Sequence, residues 1–284
     1  MHHILTLIDG SVYSESVCDY TAWAAGRMDA SVELLHVLGR RDISSTPADF
    51  SGNLSADSRE TLLAELAALD EQKAKLTHQR ARIILDEAKD RLGHAGISEV
   101  STRLRHGDLI ETVQAFEAAS DLVVIGKRGE GADFARLHLG SNLERVARST
   151  HKPLLVAARA FKPVKNLLIA FDGGASATKA VNEIAGSMLF RGLDCRLLTV
   201  GNDIKENIGR LDKAAETLRF VGYNVETEIV SGSPDAVIAS RADAGEIDLL
   251  VMGAYGHSRI RNLIIGSTTT EMIRSCKIPI MLFR

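Results

Sequence analysis

The stretch Asp248-Leu-Leu-Val-Met252, Gly253-Ala-Tyr-Gly256, nine further residues and then Gly266-Ser267-Thr268-Thr-Thr-Glu271 decides the fold. Leu249 to Met252 are apolar without alternation, which is the pattern of a strand covered on both faces, as in a parallel sheet. The glycines let the backbone approach a ligand closely. Thr268 to Glu271 read as a helix start, whose first N–H groups lack partners within the helix and attract an anion. Strand, glycine loop and helix start together make a cradle for a phosphate. The chain carries the arrangement twice. Asp121-Leu-Val-Val-Ile125 leads into Gly126-Lys-Arg-Gly129, then ten residues, then Gly140-Ser141.

The duplication extends beyond the loop. Ile4-Leu-Thr-Leu-Ile-Asp9-Gly10 recurs as Leu167-Leu-Ile-Ala-Phe-Asp172-Gly173, and His36-Val37 as Thr199-Val200, both at an offset of 163. Later pairs, Gly96 with Gly222 and Pro153 with Pro279, are 126 apart, so the first half holds 37 extra residues after its second strand. Two homologous domains in tandem are expected: residues 1–160, with a helical insertion near 38–74, and residues 161–284.

In each domain apolar strands alternate with helical patterns, the mark of an α/β fold. Strands are predicted near 3–9, 31–38, 99–105, 121–126 and 153–157, and again near 166–171, 193–200, 224–230, 247–252 and 279–283. Helices are predicted near 14–28, 57–93, 108–118 and 141–149, and near 176–189, 204–221, 234–244 and 267–275. Right-handed crossovers then give two tandem doubly wound domains, each a five-stranded parallel sheet in order 3-2-1-4-5 flanked by helices. The crevice of such a sheet lies where strands 1 and 4 end. Asp9 and Asp172 close strand 1 and the glycine loops follow strand 4, so both features converge on one crevice per domain. In the insertion, Ser58 to Leu92 predicts one long or two broken helices, with Leu62, Leu66, Leu69, Leu76, Ile83 and Ile84 as an apolar stripe. That helix either packs on its own sheet or offers a lid or partner surface.

Composition narrows the classes. The 284 residues carry a net charge of −3, which gives no basic footprint for nucleic acid. No apolar run approaches the roughly 18 residues of a membrane span. Three scattered cysteines, Cys18, Cys195 and Cys276, suit a reducing compartment, and a cytoplasmic location is expected.

The strand-1 Asp, the Gly-x2-Gly-x9-Gly-Ser loop and the helix after it resemble the nucleotide-binding motif of the universal stress protein family, and the resemblance covers essentially the whole chain. It implies a Rossmann-like fold of the adenine nucleotide alpha hydrolase-like kind, and binding of ATP or another adenine nucleotide, with or without Mg, in a stress response. Carried over by position, Asp172 and Val200 face the nucleoside, while Gly253, Gly256, Gly266, Ser267 and Thr268 face phosphate, with Arg259 beside them. In the first domain the counterparts are Asp9, Val37, Gly126, Gly129, Gly140 and Ser141. The first loop departs from the motif by one residue and carries Glu130 and Asp133, which oppose a triphosphate and are partly offset by Lys127 and Arg128. The second carries His257, Arg259 and Arg261, and its strand-3 exit, Gly232-Ser-Pro234, fits the family pattern better. The second domain is therefore expected to be the better site.

Plainer readings stand beside these. Ser141-x-x-Glu144 and Thr268-x-x-Glu271 fit capping boxes. Asp9 and Asp172 are able merely to cap the next helix, the glycines to serve turns, and Arg259 and Arg261 to be a solvated face. His36 and His106 near the first crevice suggest satisfied polar groups rather than a metal site. There is no Gly-x4-Gly-Lys-Ser/Thr loop, no Gly-x-Gly-x-x-Gly after strand 1 and no nucleophile elbow. No catalytic residue is therefore assigned, and any hydrolysis is expected to be slow. The expected function is a nucleotide-responsive binding module, with neither nucleic acid nor membrane as partner. The alternative is a nucleotide-independent scaffold that binds a protein partner or forms a homodimer, its domains joined through Leu154-Leu-Val156 and Ile280-Met-Leu282 and the long first-domain helix exposed.

Overall fold

A computed structural model describes residues 2–39, 56–129, 141–201, 205–253 and 267–284. In the first half, strands β1 (His2–Leu7), β2 (Ala30–Leu38), β3 (Val100–His106), β4 (Leu122–Gly126) and β5 (Leu154–Ala157) alternate with helices. These helices are α1 (Ser14–Met28), α2 (Ala56–His94), α3 (Leu109–Glu117) and α4 (Ser141–Ser149). The second half repeats the pattern with β6 (Asn166–Ala170), β7 (Asp194–Val200), β8 (Val225–Val230), β9 (Leu249–Gly253) and β10 (Ile280–Phe283). Its helices are α5 (Ala175–Gly186), α6 (Lys205–Phe220), α7 (Pro234–Asp243) and α8 (Ser267–Ser275).

The strands form one ten-stranded sheet in the order β3-β2-β1-β4-β5-β10-β9-β6-β7-β8. Each half is parallel in the expected order 3-2-1-4-5. The halves join by an antiparallel pairing in which Leu154 faces Leu282, Leu155 faces Met281 and Val156 faces Ile280. All six residues are buried, so two edges that would otherwise present unpaired, apolar backbone are hidden inside the molecule. The outer edge strands β3 and β8 are charged and half exposed instead. On β3, Arg103 pairs with Glu33 of β2 and lies 4.5 Å from the Phe116 ring, which Arg105 also approaches.

The inner strands run apolar on both faces because both faces are covered. Ile4, Val124, Leu155, Leu167, Val251 and Met281 belong to one core, and Leu5, Val123, Leu154, Leu168, Leu250 and Leu282 to the other. Each core contains residues from both halves, so the halves share their hydrophobic interior.

The insertion settles one open alternative of the sequence reading and corrects one expectation. From Ala56 the chain is a single unbroken helix of 39 residues, about 58 Å long at the standard rise per residue. Its buried face is Ala81, Leu85, Ala88 and Leu92, held to α1 by a bidentate ion pair from Arg91 to Asp19 at 2.7 and 2.9 Å. Of the expected stripe only Ile84 packs against the core. Leu69, Leu76 and Ile83 are 61%, 58% and 56% exposed, because their seven-residue spacing places them on a different side of the helix from the residues that meet the sheet.

Candidate functional site

β1 stops at Leu7 and β6 at Ala170, two residues before Asp9 and Asp172. Each aspartate therefore sits in the loop beyond the strand. A buried side chain from the neighbouring strand pins each loop. The His36 ring nitrogen Nδ1 bonds the Ile8 carbonyl at 2.7 Å, and the Thr199 hydroxyl donates to the Phe171 carbonyl at 2.8 Å. His36 is thus a satisfied structural group, and it holds the residue before the aspartate. The aspartates close tight turns: Asp9 accepts from the Ser11 N–H at 3.0 Å and Asp172 from the Gly174 N–H at 2.8 Å. Neither caps the helix that follows, whose N-cap residues are Tyr13 and Gly174. Gly10 and Gly173 take φ of +73° and +72°, a left-handed conformation that favours glycine at the turn.

In the first half the glycine loop returns directly onto this turn. A side chain at Gly129 would place its Cβ 2.8 Å from Asp9 Oδ2, and Ser11 Oγ donates to the Arg128 carbonyl at 3.3 Å. At Gly126 a Cβ would stand 2.9 Å from Tyr13 Cβ; at Gly253 in the second half it would stand 2.7 Å from Ser176 Cβ. Glycine at the end of β4 and β9 therefore lets the strand pass the first turn of α1 and α5.

A cavity of about 860 Å³ opens at the switch point between β1 and β4, and Asp9, Val37, Gly126 and Gly129 all line it. The sequence had selected these four. Of the charged groups around them it names Arg128 but not the pair formed by Asp108 and Arg145. Arg128 and Arg145 line the same cavity, and Asp108 lies at the β3 exit. Asp108 caps α3, accepting from the Ile110 and Glu111 N–H groups, and pairs with Arg145 at 2.6 Å. The Arg145 hydrogen bond, helped by those two backbone N–H groups, holds the Asp108 carboxyl below its ordinary range. Arg145 was legible in principle, since it follows Ser141 by one helical turn.

Lys127 departs from its expected role. It does not reach the cradle. Its side chain is buried and its ammonium donates to the Cys276 carbonyl in the second half. Burial pulls its pKa down to about 8. Arg128 is the residue of that pair that faces the crevice. Glu144 and Glu271, the acids of the expected capping boxes, pair with Arg148 and Arg274 in their own helices.

In the second half Asp172, Val200 and Gly253 occupy positions equivalent to Asp9, Val37 and Gly126. Ser267 opens α8, Thr268 follows it, and Thr269, which the sequence did not single out, donates its hydroxyl to the Gly253 carbonyl at 3.2 Å. Ser141 likewise opens α4. Gly140, Gly256, Arg259 and Gly266 lie outside the described residues, as do Glu130, Asp133, His257 and Arg261. Among the described residues no group of three His, Cys, Asp or Glu could hold a metal, and no helix is long and apolar enough to cross a membrane.

Comparison with known proteins agrees with this fold. The profile of the universal stress protein family matches residues 1–158 and 201–284. A universal stress protein of Synechocystis is 38% identical over the full length of both chains. Another, from Mycolicibacterium smegmatis, is 22% identical over 99% of this chain and 96% of its own. Among solved structures, a universal stress protein from Archaeoglobus fulgidus superposes with a TM-score of 0.72 at 18% identity, covering 99% of this chain and 98% of that one. A functionally unknown protein from Pseudomonas aeruginosa gives 0.61 at 16% identity, covering 100% of this chain and 92% of that one; both likenesses concern the fold.

Proposed function

Because this chain belongs to the universal stress protein family, we propose that it is an adenine-nucleotide binding module of the stress response, with one crevice per half. The observation that carries the reading is the meeting of Asp9 with the backbone of Gly129 beside a cavity of about 860 Å³. That volume falls in the range of small-molecule sites. A carboxylate at this place accepts hydrogen bonds from ribose hydroxyls, and Val37 and Ile125 offer apolar walls to a base. The glycine backbone and the start of α4 receive phosphate, with Arg128 and Arg145 supplying positive charge. Asp172, Val200, Gly253, Ser267 and Thr268 repeat the set in the second half. ATP, with or without Mg, is the ligand we favour.

Its role is that of a switch rather than of a catalyst. No group in the set is poised as a general base, so hydrolysis, where it occurs, is slow. Nucleotide shifts a conformational or assembly equilibrium by no more than its difference in affinity between the two states. Calorimetric titration of nucleotide-free protein with ATP tests this, alongside Asp9→Asn and Asp172→Asn. Each substitution keeps the shape and removes a charge-assisted acceptor, so the affinity of its own crevice should fall about tenfold or more. Affinity unchanged in the double variant would refute the site.

A second reading rests on the exposed leucines of α2. With β5 and β10 already paired internally, Leu69, Leu76 and Ile83 offer a stripe to a protein partner. Partner binding that is indifferent to nucleotide and lost on Leu69→Glu with Leu76→Glu would favour this reading over the first.

A further inference from the structure

The two halves are related closely enough to compare side chain with side chain. The Cβ contacts at Gly126 and Gly253 fall on Tyr13 and Ser176, which are 163 residues apart, as Asp9 and Asp172 are. With that offset Ser16 on α1 corresponds to Lys179 on α5, and Tyr20 to Glu183. The two pairs meet different surroundings.

On α1 the pair grips the chain that connects the halves. Ser16 Oγ donates to the Ala158 carbonyl at 2.7 Å. Tyr20 Oη donates to the Ala160 carbonyl at 3.3 Å and accepts the Lys162 N–H at 3.4 Å. The Phe161 ring stands edge-on to the Tyr20 ring at 4.9 Å. Residues 158–164, which have no regular secondary structure, are thereby held by two backbone-directed side chains and one aromatic anchor.

On α5 the corresponding place is open. Lys179 and Glu183 line a cavity of about 630 Å³ whose apolar wall includes Phe190, Met281 and Phe283. Asp121 borders it; its equivalent in the repeat, Asp248, acts together with Asp19 on Tyr20, whose pKa burial raises first and these acids raise further. Among the described residues neither the Lys179 ammonium nor the Glu183 carboxylate makes a hydrogen bond or ion pair; Lys152 on the same rim makes no side-chain hydrogen bond, though its charge acts on Asp121. Asp121 is already engaged by the His3 N–H and by His2.

We propose that this cleft between the halves binds a peptide segment in the manner in which α1 binds the connecting chain. Lys179 takes the place of Ser16 as donor to a backbone carbonyl, Glu183 takes the place of Tyr20 as acceptor of a backbone N–H, and an aromatic side chain fills the apolar wall as Phe161 does. The connecting chain carries Arg159 and Lys162. The cleft is rimmed by Lys152, Lys179 and Arg284 against Glu183 and the already engaged Asp121, so its balance of charge is positive and its peptide bears acidic residues in place of those two. The inference is independent of nucleotide binding.

The connecting segment itself supplies the probe. A labelled, end-blocked heptapeptide of residues 158–164 carrying Arg159→Glu and Lys162→Glu is titrated into the full-length protein and followed by fluorescence anisotropy. Saturable binding with a Kd below about 1 mM is expected, roughly fivefold tighter than for the unaltered basic heptapeptide. Phe161→Ala in the peptide should weaken binding about tenfold, as loss of an aromatic anchor does. A Lys179→Ala, Glu183→Ala protein should weaken it about as much with an unchanged melting temperature, since both side chains are exposed. Absence of saturable binding up to about 5 mM, or binding that survives the double substitution, would overturn the proposal. Equal affinity for the acidic and basic peptides would overturn its charge assignment. Saturable binding of benzoate without binding of either peptide would overturn it in favour of a small organic anion.

Discussion

Lys127 offers a sharp test of how the halves are joined. It is 9% exposed, donates to the Cys276 carbonyl across the junction, and its pKa falls from 10.5 to about 8 on burial. A lysine whose folded pKa lies below its unfolded value opposes folding wherever the unfolded chain binds the proton more tightly. The penalty is complete below pH 8, shrinks as pH rises, and is gone above pH 10.5. Its size is the shift converted at 1.36 kcal/mol per pH unit, about 3 kcal/mol. Lys127→Met keeps the apolar stem, removes the charge and forfeits one hydrogen bond of about 1 kcal/mol. At pH 7 the variant should therefore be more stable than the parent by about 2 kcal/mol, and near pH 10 the advantage should vanish or reverse. Urea unfolding monitored by the fluorescence of the single tryptophan, Trp23, reads this at pH 7, 8, 9 and 10. The buried thiols Cys18 and Cys195, pushed up to about 12, cost both proteins stability alike as pH rises, so the difference between the two proteins reports the lysine together with the Cys276 thiol beside it, which burial pushes up and the Lys127 charge holds down. A difference that stays flat from pH 7 to 10 would refute the reasoning.

Gly129→Ala should displace the Asp9 carboxylate, because the new Cβ would stand 2.8 Å from Oδ2; nucleotide affinity of the first crevice should fall about tenfold to a hundredfold by calorimetry, while stability changes by less than about 1 kcal/mol. Arg145→Ala should let the Asp108 carboxyl climb back towards its ordinary pKa, visible in an NMR titration of the side-chain carboxyl. On α2, Leu92→Ala should cost about 2–5 kcal/mol in urea unfolding, since Leu92 is fully buried. Leu76→Ala, 58% exposed on the same helix, should cost less than about 0.5 kcal/mol.

The strands, their order and the tandem repeat were legible because buried parallel strands leave uninterrupted apolar runs and because duplicated motifs keep a constant offset. The seam was legible for a related reason: Leu154-Leu-Val156 and Ile280-Met-Leu282 are too apolar to be left as edges. The candidate site was legible at Asp9, Val37, Gly126 and Gly129, where a turn and a close backbone approach restrict the residue type. What escaped were directions. Lys127 sits in the glycine loop by sequence, yet its side chain leaves on the opposite side, toward a carbonyl nearly 150 positions later. Leu69, Leu76 and Ile83 satisfy a heptad, while the sheet selects Ala81, Leu85, Ala88 and Leu92. Asp108 and Arg145 are joined only because β3 and α4 end at the same crevice, a relation that no local pattern carries.

The central claim is that this protein binds adenine nucleotide in its crevices. It is tested most directly by denaturing the protein as purified and identifying the released small molecules by chromatography with mass detection, followed by titration of the stripped protein with ATP. Adenine nucleotide near one or two equivalents per chain, or saturable rebinding of ATP at that stoichiometry, is the expected result. No nucleotide released, together with no saturable binding of ATP up to about 1 mM, would contradict it.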